Sequence, residues 1–344
     1  MNKYAIFFAA TGPLAGRNYL PDTNALLNSL SKCKLRETVD GELTVYLLHH
    51  GFDPAWKYPE RAAAAFDFNL IPVELRRDEV PHPQATNNIE FVKRARYFKM
   101  LSLSESYDAV CLLDADMFCV APEFGNFFRM VTGTKLLVGA NERFKWDVGP
   151  ESYYIEGPAG KGESLFADNF RMHAMTCNVP SIFDMRQWRD VFGYYCKICF
   201  DGYQIKNGQR VGIGDLFAHN LAIYKCNRQS DVIMLPMESF AQVHHVWRKP
   251  WTHMINDGGR WRSWGGDRVY WIHDSKRLCK PEFIPGNIAA YRAEFAGWNG
   301  IDLMAPKIEA GMRAMQREWY DLNFNQRLSL YEFLPKNVNW ENLK

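Results

Sequence analysis

Apolar residues along this chain come as short unbroken runs separated by stretches in which they recur every three or four positions. Tyr4 to Ala10 is the first run, and its length suits a buried strand; Thr11-Gly12-Pro13 ends it with a turn signal. A Gly-containing loop follows, and Asp22 or Thr23 then caps a helix with Leu26, Leu27 and Leu30 on one face. Leu43 to Leu48 reads as a second strand closed by His49-His50-Gly51, Ala62 to Phe66 as helix, and Phe68 to Leu75 as strand. Ile89 to Leu103 is helical, with Phe91, Ala95, Phe98 and Leu101 apolar and Lys93, Arg94, Arg96 and Lys99 charged. It leads into the apolar strand Ala109 to Leu113, and a second short apolar run covers Met117 to Ala121. Strands alternating with helices predict an α/β chain built on a mostly parallel, doubly wound sheet.

After Pro122 the pattern loosens. Val131 to Ala140 predicts a strand, whereas 141–163, rich in Gly, Tyr and Trp, predicts an irregular insertion that shapes a pocket. Met172 to Phe183 predicts a strand and Met185 to Phe192 a helix. Gly212-Ile213-Gly214-Asp215 opens a helix over Leu216 to Tyr224 with Asp215 as its N-cap. Ile233 to Leu235 and Val269 to Ile272 are short strands, the second ending in His273, and the tail from Met304 holds an amphipathic helix. No internal repeat or low-complexity segment interrupts this order.

The 344 residues, 47% hydrophobic and 15% aromatic, bury a substantial core, which excludes wholesale disorder. A net charge of +2 is neutral on polyanionic partners. Its distribution is uneven: between Val243 and Lys280 eight Lys and Arg face three acids. Either a basic surface beside a phosphate site or a solvated basic face accounts for that. The eight cysteines are scattered and several, such as Cys111 and Cys119, fall in apolar runs, which predicts reduced, buried thiols in a cytoplasmic protein. The single pair Cys196 and Cys199 lacks the second pair that a zinc site needs. No apolar stretch reaches transmembrane length.

The chemistry concentrates where the Ala109–Leu113 strand ends, at Asp114-Ala115-Asp116. Strand ends deliver residues to the ligand crevice of an open α/β sheet. Two carboxylates two residues apart share one face or converge at a turn, and as hard oxygen ligands they suit a Mg²⁺ or Mn²⁺ ion that also takes diphosphate oxygens. The alternative is an Asp-rich turn with solvated acids, but apolar runs on both sides argue for an embedded pair.

The ordered pieces of this chain resemble the nucleotide-sugar glycosyltransferases of the GT-A fold, nearest to the retaining family of glycogenin and the bacterial lipopolysaccharide galactosyltransferases. The resemblance rests on the Phe7–Thr11 strand and a loop with Tyr19, on Tyr97-Phe98-Lys99-Met100-Leu101, and on Leu112-Leu113-Asp114-Ala115-Asp116. It continues through Cys177-Asn178-Val179, Gly214-Asp215 with Asn220, Leu235-Pro236, and Ile272-His273 with Lys276 and Lys280-Pro281. Leu216 stands where the family has Gln, and Asp274-Ser275 where it has a glycine.

The resemblance implies a Rossmann-like GT-A domain over 1–285, with a nucleotide-binding half to about 122 and an acceptor half from about 123, and a helical extension over 286–344. It implies transfer of a sugar from a UDP-sugar to the hydroxyl of a glycan, a protein, a small molecule or a nucleic acid, with retention. Asp114, Asp116 and His273 would hold Mn²⁺ or Mg²⁺, the imidazole favouring Mn²⁺. Thr11, Gly12, Tyr19, Lys99, Asp114, Ala115, Lys276 and Lys280 would bind the nucleotide diphosphate. Asp215 would flank the reactive carbon or contact sugar hydroxyls, with Asn178 beside it.

Three other functions are compatible with these residues. A sugar transferase acting on modified bases of viral DNA would use the basic, Trp-rich Val243–Lys280 segment. A sugar-nucleotide nucleotidyltransferase would want a Gly-rich basic loop after the first strand, and Thr11-Gly12-Pro13 with Gly16-Arg17 is a poor one. A non-catalytic nucleotide-sugar binding module would not need Asp114, Asp116 and His273 together.

Overall fold

The computed structural model describes residues 1–273 apart from short stretches, the longest being 53–67, 80–86, 143–152, 166–174 and 244–253. In chain order its strands begin with β1 (Lys3–Thr11), β2 (Glu42–His50), β3 (Asn69–Glu74), β4 (Ala109–Asp114) and β5 (Met117–Cys119). There follow β6 (Leu137–Glu142), β7 (Tyr153–Glu156), β8 (Gly162–Ser164), β9 (Met175–Phe183), β10 (Gly202–Lys206) and β11 (Gln209–Gly212). The last are β12 (Val232–Leu235), β13 (Gln242–Val243), β14 (Met254–Asp257), β15 (Arg260–Ser263) and β16 (Trp271–His273). The helices are α1 (Leu35–Val39), α2 (Asn88–Leu103), α3 (Asn126–Val131), α4 (Met185–Asp201) and α5 (Asp215–Lys225).

The expected sheet is present. Seven strands lie in the order β12-β6-β9-β4-β1-β2-β3. All neighbours are parallel except at β9, which runs antiparallel to both β4 and β6. The apolar runs are its middle: Tyr4 to Phe8, Leu47, Leu48 and Val110 to Leu113 are buried, as continuous runs in a sheet covered on both faces should be. Phe91, Ala95, Tyr97 and Met100 of α2 pack against this core, as do Trp188, Phe192 and Tyr195 of α4. Helical turns before α1 bury Leu26, Leu27 and Leu30, as expected.

Three expectations need correction. The strand predicted over Val131 to Ala140 begins only at Leu137. Val131 closes α3, the Thr132 N–H and hydroxyl both donate to the Phe128 carbonyl, and Gly133 reverses the chain at φ +69°, a value glycine tolerates. The segment 141–163 is not wholly irregular, because β7 and β8 join β10 and β11 in a four-stranded antiparallel sheet. The helix predicted to stop at Phe192 continues to Asp201, where it enters the β10–β11 hairpin. Ala62–Phe66, the expected tail helix and the 286–344 extension lie outside the described residues. Among the described residues no helix is long and apolar enough to cross a membrane.

Candidate functional site

The end of β4 is where the elements converge. Asp114 is its last residue, Ala115 and Asp116 form the turn, and the chain returns immediately as β5. Strand β16 pairs antiparallel with β5, His273 standing opposite Met117, so a residue far along the chain is carried onto the turn. His273 Nε2 lies 3.4 Å from Asp114 Oδ2 and 3.6 Å from Asp116 Oδ1. One ligand atom from each of the three falls within 4.8 Å of the others. Ligands at right angles around a divalent cation with bonds of about 2.1 Å stand about 3 Å apart, so a small contraction closes this set around one ion. Two carboxylate oxygens and an imidazole nitrogen fit Mn²⁺ or Mg²⁺ chemically.

The three groups act on one another electrostatically. Burial disfavours protonated His273, but its hydrogen bonds to Asp114 and Asp116 and their charges outweigh it and lift the ring to about 10. Burial would raise Asp114, yet the Arg96 guanidinium and His273 override that and hold it well below the usual carboxylate range. A proton on His273 thus offsets part of the negative charge that Asp114 and Asp116 bring together.

Arg96 is the residue that sequence reasoning passed over. It lies on the buried face of α2, where its Nη1 donates to Asp114 Oδ1 and its Nη2 lies 3.4 Å from Asp215 Oδ2. Its side chain is 3% exposed, and the charges of Asp114 and Asp215 keep the guanidinium firmly protonated against the cost of burial. The signal was its spacing. Val92, Arg96 and Met100 recur every four residues, so Arg96 falls in a core stripe and not among the solvated cations. Lys99, the expected diphosphate lysine of this helix, pairs with Glu79 at 3.0 Å.

Asp215 is not the N-cap it was expected to be. Gly214 takes that position, with no side-chain cap, and Asp215 is the first residue of α5. Its carboxylate accepts from Asn178 Nδ2 at 3.1 Å as well as meeting Arg96. Asn178, on β9, also donates to the Tyr97 hydroxyl at 3.2 Å. Asn220 serves the frame: its side chain bonds both the N–H and the carbonyl of Thr176 on β9, pinning α5 to that strand. Asp114, Arg96, Asp215 and Asn178 therefore form one connected polar line from the acid turn to the start of α5 and to β9.

At the other side of the β4 end, β1 stops at Thr11. Gly12 N–H donates to the His50 carbonyl and Tyr19 N–H to the Thr11 carbonyl, both at 2.8 Å. A Cβ on Gly12 would lie 2.4 Å from the Gly51 carbonyl oxygen, so only glycine lets the two loops approach this closely. Thr11, Gly12 and Tyr19 thus lie together at the end of β1, the direct neighbour of β4. Lys276 and Lys280 lie outside the described residues.

No protein-family model matches the chain, and no curated protein matches it in sequence. Among solved structures, the WbbM bifunctional glycosyltransferase aligns with 90% of this chain at a TM-score of 0.52 and 14% identity. The chain spans about half of that protein, 52% of its length. The galactosyltransferase LgtC, solved with donor and acceptor sugar analogues, aligns with 71% of this chain and 77% of its own at a TM-score of 0.41 and 14% identity. Mouse xyloside xylosyltransferase 1 covers 70% of this chain and 87% of its own, at a TM-score of 0.40 and 12% identity. The similarity to WbbM, with the seven-stranded sheet and its one reversed strand, identifies the fold as GT-A, as the sequence led us to expect.

Proposed function

We propose that this protein is a metal-dependent glycosyltransferase that moves a sugar from a UDP-sugar to an acceptor hydroxyl, with retention of the anomeric configuration. The observation that carries the reading is the continuous line from a metal-type triad, Asp114, Asp116 and His273, through Arg96 to Asp215 and Asn178. Cleaving a sugar–nucleotide bond leaves a diphosphate that gains negative charge, and a group for that charge must stand beside groups for the sugar.

Asp114, Asp116 and His273 would hold Mn²⁺, or Mg²⁺ in its place. A divalent ion there supplies charge stabilisation for the departing diphosphate. Arg96 fixes Asp114 from behind and aims Asp215 at the same time, so the two ends of the site keep one geometry. Asp215 and Asn178 contact sugar hydroxyls, with Asp215 beside the reactive carbon. The Thr11, Gly12 and Tyr19 loop takes the nucleoside, the Ala115 backbone lies at the ribose and diphosphate, and Lys276 and Lys280 supply further cations to the phosphates. The domain over 1–285 carries both halves of the site, and the acceptor is a glycan, a protein, a small molecule or a nucleic acid.

Incubation with UDP-, GDP- and ADP-sugars and Mn²⁺ tests this reading. Slow metal-dependent release of UDP from one UDP-sugar is the expected result. Turnover only with pyrophosphate would replace it with nucleotidyl transfer, and no release from any donor would leave a binding module.

A further inference from the structure

Helix α2 carries four cations within two turns, and three have partners: Lys93 stands 3.8 Å from Glu90, Arg96 bridges Asp114 and Asp215, and Lys99 meets Glu79 at 3.0 Å. Arg94 is half-buried and, among the described residues, makes no hydrogen bond or ion pair. Its guanidinium rests over the backbone of Gly212, where a Cβ would lie 2.5 Å from Nη2 and 3.6 Å from Nη1. Gly212 does not use the left-handed region that favours glycine, so the absent side chain serves to admit the guanidinium. A partly desolvated charge without a counter-charge is costly, and bidentate oxyanion contact is what a guanidinium fork supplies best.

The position of this cation says where the anion belongs. Gly212 ends β11, and Ile213-Gly214-Asp215 follows directly, so Arg94 stands near the Asp215 end of the polar line. Both terminal nitrogens of the Arg96 guanidinium are already taken, Nη1 by Asp114 of the metal-type triad and Nη2 by Asp215. The diphosphate belongs with the triad. We infer that Arg94, seated on Gly212, binds an oxyanion substituent, a carboxylate or a phosphate, carried by the sugar substrate at the Asp215 end. The inference rests on the glycosyltransferase reading. The sugar that bears the anion is the donor's or the acceptor's.

Binding to the full chain, measured by calorimetry or saturation-transfer NMR, decides it with two matched pairs. The first pair is UDP-glucuronate against UDP-glucose with Mn²⁺; the second is glucose 6-phosphate against glucose without nucleotide. The wild type should favour the anionic member of one pair by about tenfold or more, as a charge-assisted bidentate contact would give. Arg94→Gln should erase that preference and Arg94→Lys keep part of it, while Gly212→Ala, which displaces the guanidinium, should also reduce it. Preference in the first pair assigns the anion to the donor, and in the second to the acceptor. No preference in either pair, or one that survives Arg94→Gln, overturns the inference. UDP with Mn²⁺ but no sugar reports on the parent reading separately: loss of UDP binding with the sugar-phosphate preference intact removes the glycosyltransferase and keeps the anion site.

Discussion

At the scale of single residues, the site is defined by which charges are tied to which. Asp116 touches His273 and has no tie to Arg96, so it is the carboxylate most available to an ion. Asp116→Ala should abolish Mn²⁺-dependent UDP binding while the thermal midpoint stays near that of the wild type; UDP affinity that keeps its Mn²⁺ dependence would refute the triad. His273→Ala should weaken Mn²⁺ affinity by about ten- to a hundredfold, read by metal titration, because it removes one of three donors. Arg96 differs from both in being structural as well. Arg96→Met leaves Asp114 and Asp215 facing each other without a cation, and a broken buried pair costs about 3 kcal/mol. Urea unfolding should show that loss, whereas Asp116→Ala should not.

At the scale of elements, the site depends on short pieces held in register by caps and hairpins. Asp184 follows β9 and caps α4: its Oδ1 accepts from Arg186 N–H at 2.9 Å, and its Oδ2 from Gly133 N–H at 3.1 Å. It is fully buried, so Asp184→Ala removes a cap and strands a second donor. A loss of about 2 kcal/mol is expected in chemical denaturation, with metal binding retained. The β10–β11 hairpin was legible in principle. Asn207-Gly208 sits between its strands with φ +52° and +74°, the pair that a tight primed turn requires. It was masked by the helix before it, whose apolar spacing runs on to Cys199 and gives no stop at Phe192. The pairing of β16 with β5 had no such signal, because two three-residue strands carry too little pattern to identify each other from such distant parts of the chain.

At the scale of the whole molecule, acid stability has an identifiable contributor. His219 of α5 is fully buried, and burial, with the nearby Arg96 charge, pulls its ring down to about 3. The unfolded chain takes up this proton below about pH 6.5 and the folded protein does not, so protons favour unfolding. This term is absent above about pH 6.5 and costs about 1.4 kcal/mol per pH unit as the pH falls from there toward 3. His219→Phe should therefore make stability fall less steeply between pH 7 and 5, measured by urea unfolding at each pH. An unchanged slope would mean that His219 gains a proton in the folded protein.

The amino-acid order alone determined the parallel core, because continuous apolar runs such as Tyr4–Ala10 and Ala109–Leu113 can be satisfied only by a sheet covered on both faces. It also placed the acid pair at a strand end, since the run of buried residues stops at Asp114. Tertiary structure decided what those acids meet. His273 arrives only through the β5–β16 ladder. Arg96 becomes a shared partner of Asp114 and Asp215 only because α2 packs its core face toward both, a contact between residues 18 and 119 positions apart. Periodicity reports whether a side chain faces the core, and the partner it finds there depends on how separate elements are laid against one another.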